Sequence, residues 1–105
     1  KYTLNTITER GHVVGLHSHS HPSNLGSLSY QDQLIEIKTN KEVIESITDV
    51  VPKTISYPSN SYNSDTITHL IDLGIGSGFR ADDMVNKAPY ELPRIDARIF
   101  YEEIV

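Results

Sequence analysis

The spacing of apolar positions changes period several times along the chain, and each change marks an element. Leu4 and Ile7, three apart and followed by Gly11, predict the end of a helix over residues 2–10. Val13, Val14 and Leu16 follow without polar alternation, which predicts a strand over 12–16 buried on both faces, as in a parallel sheet. A Pro/Ser/Asn/Gly stretch over 22–28 reads as loop. Ser29 then caps a helix over 30–49, with Asp32 at the capping-box position and an apolar face of Leu34, Ile37, Ile44 and Ile47. Pro52 ends the following turn, and 53–57 predicts a short strand. Asn63 opens a third helix, expected to be buried through Ile67, Leu70 and Ile71 and stopped by Gly74. Residues 75–79 predict a third strand. Beyond Met84 the pattern weakens, leaving a possible strand over 92–95. Helix and strand alternate three times, so the fold class is α/β, built from parallel βα units.

Composition narrows the function classes. The 105 residues allow one domain at most. The hydrophobic fraction is 37%, and adding the 6 glycines still leaves it below the usual ~45–50%. The core is therefore small and would gain from further covering segments. Net charge is −5 with no basic stripe, which argues against a nucleic-acid partner. The chain has no cysteine, so disulfides and thiolate ligands are excluded. No apolar run approaches the ~18 residues of a membrane span.

Candidate chemistry concentrates at His17-Ser18-His19-Ser20-His21-Pro22, which holds three of the 5 histidines directly after a predicted strand. Neutral imidazole is the commonest protein ligand of transition metals. In an extended strand His17 and His21 would lie about 13 Å apart, too far for one ion with bonds of about 2.0–2.1 Å. In a helical turn, positions i and i+4 come within about 5–6 Å. His17 and His21 then share one metal, while His19 points to the opposite side. Pro22 disfavours helical dihedrals at His21, so the turn is expected to be short.

Residues 10–22, from Arg10-Gly11-His12 to His21-Pro22, resemble the second motif of the polysaccharide deacetylases (carbohydrate esterase family 4), R-G-H-x-x-x-x-H-[ST]-x-x-H-P. Ile55-Ser56-Tyr57-Pro58-Ser59-Asn60-Ser61-Tyr62-Asn63 resembles the third, Y-P-[YF]-G-x-Y-N. The spacing between them also fits, and the resemblance covers nearly the whole chain. It implies part of a distorted (β/α) barrel and metal-dependent de-N-acetylation of a bacterial polysaccharide or glycan. Zinc or another divalent ion is the implied cofactor, an N-acetylated saccharide the implied partner.

The resemblance assigns residues to roles. His17 and His21 are the implied metal ligands. Tyr57, Pro58, Ser59 and Tyr62 are the implied wall of the substrate groove, with the Ser59 N–H as oxyanion donor. Ser59 stands where the family usually has Tyr or Phe. Leu92-Pro93-Arg94-Ile95-Asp96 resembles a segment of members tied to surface-polysaccharide and lipopolysaccharide synthesis, and makes Arg94 a candidate for lowering the pKa of a catalytic Asp.

Two family features are missing. The Asp-Asp pair of an earlier strand has no counterpart, since the first aspartate is Asp32. The late histidine motif has none either, since no histidine follows His69. Residues 1–105 are thus expected to be a partial domain, inactive alone, that needs the remainder of its own chain. The alternative is a catalytically inactive metal- or carbohydrate-binding domain of the same fold. The expected compartment depends on substrate: cytoplasmic for a biosynthetic role, exported for action on finished polymer.

Other candidates read as structural. Gly74-Ile75-Gly76-Ser77-Gly78 lacks dinucleotide-loop spacing and predicts a strand packed closely on a neighbour. Asp82 and Asp83 read as a solvated pair. His12 reads as structural, and His69 as surface-paired with Asp65 or Asp72.

Overall fold

A computed structural model describes residues 2–80 and 88–93. The order is α1 (Tyr2–Glu9), α2 (Tyr30–Thr48), β1 (Thr54–Ser56), α3 (Ser64–Asp72) and β2 (Ser77–Phe79), with 3₁₀ turns at Leu25–Ser27 and Pro58–Asn60. Arg94, Asp82, Asp83 and the end of the 92–95 segment lie outside the described residues.

The helices begin where their caps predict. Ser29 Oγ accepts the Asp32 N–H at 3.1 Å at the start of α2. Asn63 and Thr66 form a reciprocal capping box on α3. Asp49, in the left-handed region at φ 57°, ends α2.

β1 and β2 pair in parallel with Thr54 opposite Ser77, Ile55 opposite Gly78 and Ser56 opposite Phe79. Parallel bridges extend this ladder on both sides, Leu16 to Ile55 and Phe79 to Leu92. Four consecutive segments therefore lie side by side in chain order, and their C-terminal ends share one edge. Open α/β sheets bind ligands at that edge.

The period of two divides the sheet into unlike faces. Leu16, Ile55 and Tyr57 turn toward the helices and join Ile37, Ile44, Leu70 and Ile75 in the core. The opposite face carries Gly15, His17, Thr54, Ser56 and Phe79, which with Leu16 line a cavity of about 440 Å³. Gly78 allows a close approach: a Cβ there would meet the Tyr57 ring at 2.8 Å and the Tyr90 carbonyl oxygen at 2.9 Å. The glycine-rich stretch is thus a close-packed strand, as its spacing predicts.

Three expectations are corrected. Residues 12–16 form no regular strand, only a single parallel bridge at Leu16, and they are not buried on both faces: Val13 is 84% exposed and only Leu16 is in the core. Among the described residues this segment lies at the sheet edge, so only its helix-facing position is covered. Ile71 is 56% exposed, while His69 is 1% exposed. The His69 Nε2–H donates to the Tyr30 carbonyl at 2.8 Å, and the ring lies 4.1 Å from that of Tyr30. A backbone acceptor at the start of α2 thus replaces the expected surface pairing with aspartate.

Candidate functional site

The site grows from the two loops that leave the sheet beside each other. The Leu16 carbonyl accepts the Ser56 N–H at 2.9 Å, which aligns the two strand ends. One residue on, the His17 Nδ1–H donates to the Ser56 carbonyl at 2.7 Å. A carbonyl only accepts, so this bond places the proton on Nδ1 and leaves the Nε2 lone pair free, the arrangement a metal ligand needs.

The chain then bends rather than forming the expected helical turn. Ser18 and His21 have φ of 67° and 55°, in the left-handed region. The Ser18 Oγ accepts the His21 N–H at 3.1 Å and closes the bend. It brings the His17 and His21 rings to 4.8 Å between centroids, inclined at 60°. The i, i+4 pairing is therefore achieved through left-handed residues. His19 is exposed on the same bend.

Side chains of α2 hold the backbone of this bend. Asn40 Oδ1 accepts the His17 N–H at 2.9 Å. Glu36 Oε2 accepts the N–H groups of His19 at 3.1 Å and Ser20 at 2.9 Å, and Glu36 Oε1 accepts the Ser20 hydroxyl. Partial burial pushes the Glu36 carboxyl up. The bonds from Ser20 and His19, with the charge of His19, outweigh it and hold the group below the ordinary carboxylate value.

The second loop is built on aromatic burial. Tyr57 is fully buried, its ring stacks on Tyr62 at 4.2 Å, and its phenol donates to the Tyr90 carbonyl at 2.6 Å. Burial pushes that phenol well above its ordinary value, with Tyr62, Glu91 and Tyr90 adding to the effect. The Tyr57 side chain and the buried Pro58 are thus structural supports, and neither presents a side-chain surface to a saccharide. Tyr62 is half-buried and donates to Glu91 Oε1 at 2.8 Å. Ser59 and Asn60 are exposed, with left-handed φ of 52° and 56°. The Ser59 N–H has no hydrogen bond among the described residues.

A buried polar network moors this loop. Gln33, fully buried on α2, donates to the Leu28 carbonyl at 3.1 Å and to Asn63 Oδ1 at 3.2 Å, and accepts the Thr66 hydroxyl. Asn63 Nδ2 donates to the Gly26 carbonyl at 2.7 Å. Gly26 lies against the Tyr62 backbone so closely that a Cβ there would meet it at 2.7 Å.

Sequence reasoning finds the histidines and the loop but misses Gln33, Glu36 and Asn40. The available signal is three polar residues at i, i+3 and i+7, along the border of the Ile37–Ile44 stripe.

Two imidazoles converge, one with a fixed tautomer, and this fits a metal that takes nitrogen donors. Among the described residues no group of three or more His, Asp or Glu completes such a site. No helix among them is long and apolar enough to cross a membrane.

Comparison with known proteins bears on the fold and the family. The fold is similar to a Streptococcus pyogenes deacetylase, PplD, in complex with acetate: TM-score 0.82, 23% identity, covering 90% of this chain and 42% of that one. It is similar to the BpsB deacetylase domain of Bordetella bronchiseptica, with TM-score 0.75, 17% identity, and coverage of 89% and 47%. A CE4 family pseudoenzyme from Bacillus anthracis matches with TM-score 0.68 and 22% identity, over 73% of this chain and 27% of that one. The chain thus spans less than half the length of these structures, and its parallel units match part of their (β/α) barrel-type fold. No curated protein matches the sequence. The profile of the family described as polysaccharide deacetylase matches residues 1–77, which contain both histidines and the 57–63 loop, and the chain belongs to that family.

Proposed function

We propose that this chain carries the metal-binding histidines and the oxyanion loop of a divalent-metal-dependent de-N-acetylase acting on an N-acetylated bacterial polysaccharide or glycan. The observation that carries the reading is the His17–His21 pair, 4.8 Å apart at the C-terminal edge of the sheet, with His17 Nδ1–H held by the Ser56 carbonyl.

His17 Nε2 and one ring nitrogen of His21 would hold the ion, and the imidazole donors favour zinc. When bound, such an ion polarises an acetamide carbonyl and lowers the pKa of a water. The Ser56 carbonyl keeps His17 in the tautomer with its lone pair on Nε2. The Ser59 N–H, three residues beyond Ser56, donates to the oxyanion that forms as the acetamide carbon becomes tetrahedral. Its left-handed backbone leaves that N–H without a protein acceptor among the described residues. A third ligand, a proton-accepting base and an acid for the leaving amine would complete the site, and among the described residues no third His, Asp or Glu joins the pair. Catalytic zinc sites ordinarily use three protein ligands.

The test is acetate release from an N-acetylglucosamine oligomer by the full-length protein. Release that a chelator abolishes and zinc restores is the expected result, with no release from residues 1–105 alone. Zinc binding without acetate release would instead favour the inactive metal-binding domain.

A further inference from the structure

The bend from His17 to Ser20 is neither helix nor strand, so its backbone N–H groups have no regular ladder to join. Three of them are nevertheless bonded, and every acceptor comes from α2. Asn40 Oδ1 takes the His17 N–H, and Glu36 Oε2 takes those of His19 and Ser20. The other Glu36 oxygen takes the Ser20 hydroxyl. Glu36 and Asn40 are four residues apart and so adjacent on one face of the helix.

We propose that Glu36 and Asn40 are positioning residues that hold the His17–Ser20 backbone against α2, so that the His17 and His21 rings meet at one metal. An ionised carboxylate is an acceptor with about four lone-pair sites, and here three donors of one bend converge on it. Both its oxygens are engaged by the bend, which makes Glu36 a clamp and not a ligand. Charge-assisted bonds of this kind are about twice as strong as neutral ones. They oppose the cost of the left-handed Ser18 and His21, a conformation that persists only where the surroundings over-determine it.

This inference rests on the metal reading above, and one experiment separates them. Zinc is titrated into the full-length protein and its Glu36→Ala, Glu36→Gln, Asn40→Ala and Ile44→Ala variants. Amide exchange at His17, His19 and Ser20 and the Tm are followed in parallel. Glu36→Ala should weaken zinc affinity on the order of 10–100-fold, the usual effect of removing a group that orients a ligand. It should also speed exchange at His19 and Ser20. Glu36→Gln keeps one carbonyl acceptor and should recover part of the affinity. Asn40→Ala should act at His17 alone, with a smaller loss. Ile44→Ala removes core packing from the same helix and should lower Tm while leaving zinc affinity unchanged. Wild-type affinity and exchange in Glu36→Ala would overturn the positioning role. So would an equal loss in Ile44→Ala, which would make the effect one of general stability. A wild-type protein without zinc affinity would overturn the metal reading and this inference with it.

Discussion

The histidine bend and the 57–63 loop leave the same sheet edge side by side, the first after the Leu16 bridge and the second after β1. Each carries two left-handed non-glycine residues, Ser18 and His21 in one, Ser59 and Asn60 in the other. Polar side chains of α2 reach both, but at the loop they are buried and joined by an aromatic stack. The bend is largely exposed, and polar side chains of α2 grip its backbone. The loop hangs from a buried aromatic stack, with Tyr57 over Gly78 and against Tyr62. Polar anchoring of an exposed bend sets the direction of the two imidazoles and contributes less to global stability than a buried stack does. Aromatic anchoring makes the loop a part of the core. The two histidines should therefore be replaceable without unfolding the chain, whereas the loop should not survive loss of its buried tyrosine.

The sharpest way to break this contrast is at the metal. In the full-length protein, His17→Ala and His21→Ala should each abolish zinc uptake, measured by elemental analysis, with Tm close to wild type in the absence of metal. His19→Ala should retain uptake, because its ring is outside the 4.8 Å pair. Equal metal loss in all three variants would remove the two-ligand model.

Next in size is the aromatic anchor. Tyr57→Ala deletes a fully buried ring and should cost about 3–5 kcal/mol in denaturant unfolding, the range for large aromatic truncations. Ser20→Ala removes one hydroxyl bond on the exposed bend and should cost about 0.5–1.5 kcal/mol. Similar losses at the two positions would mean that the bend and the loop are anchored alike.

Much of this architecture is legible in the sequence, and its gaps have physical causes. Ser29 and Asn63 announce their helices because capping is a local interaction over three residues. The parallel order follows from the alternation of elements. The strand over 12–16 is misread because an apolar run gives no sign of whether a neighbour covers both faces. His69 looks like a surface residue because its partner is a main-chain carbonyl 39 positions away. The i, i+4 spacing identifies the His17–His21 pair, but Ser18 and His21 carry no mark of left-handed backbone. Glu36 and Asn40 look like an ordinary solvated helix border until the bend is seen to rest on them.

The clamp also predicts an acid-sensitive contribution. Glu36 has a folded-state pKa lowered from the ordinary value of 4.5. Its stabilising effect is therefore complete above about pH 4.5 and is lost as pH falls from there through the lower folded value. Thermal unfolding of wild type and Glu36→Gln between pH 3 and 6 should show curves that converge toward the acid end. Parallel curves throughout would mean that the carboxylate charge adds nothing to the grip on the bend.

The smallest effect tests the loop backbone itself. Ser59 holds φ 52°, a region that costs a non-glycine residue about 1–3 kcal/mol. Ser59→Gly removes that strain but adds unfolded-state freedom worth about 0.4–1 kcal/mol. The net should lie between about 0 and 2.6 kcal/mol in favour of glycine, read as an unchanged or raised denaturation midpoint. The N–H is retained, so kcat should stay within about twofold if the donor belongs to the main chain. Ser59→Val keeps the same N–H but forces a β-branched residue into the left-handed region, and should lower the midpoint instead. Proline is not a usable probe, because its ring fixes φ near −65° and would rebuild the turn. Opposite shifts for Gly and Val would show that the left-handed backbone at Ser59 sets the loop's stability. A loss of stability in Ser59→Gly would show that the Ser59 side chain, not its main chain, holds the loop.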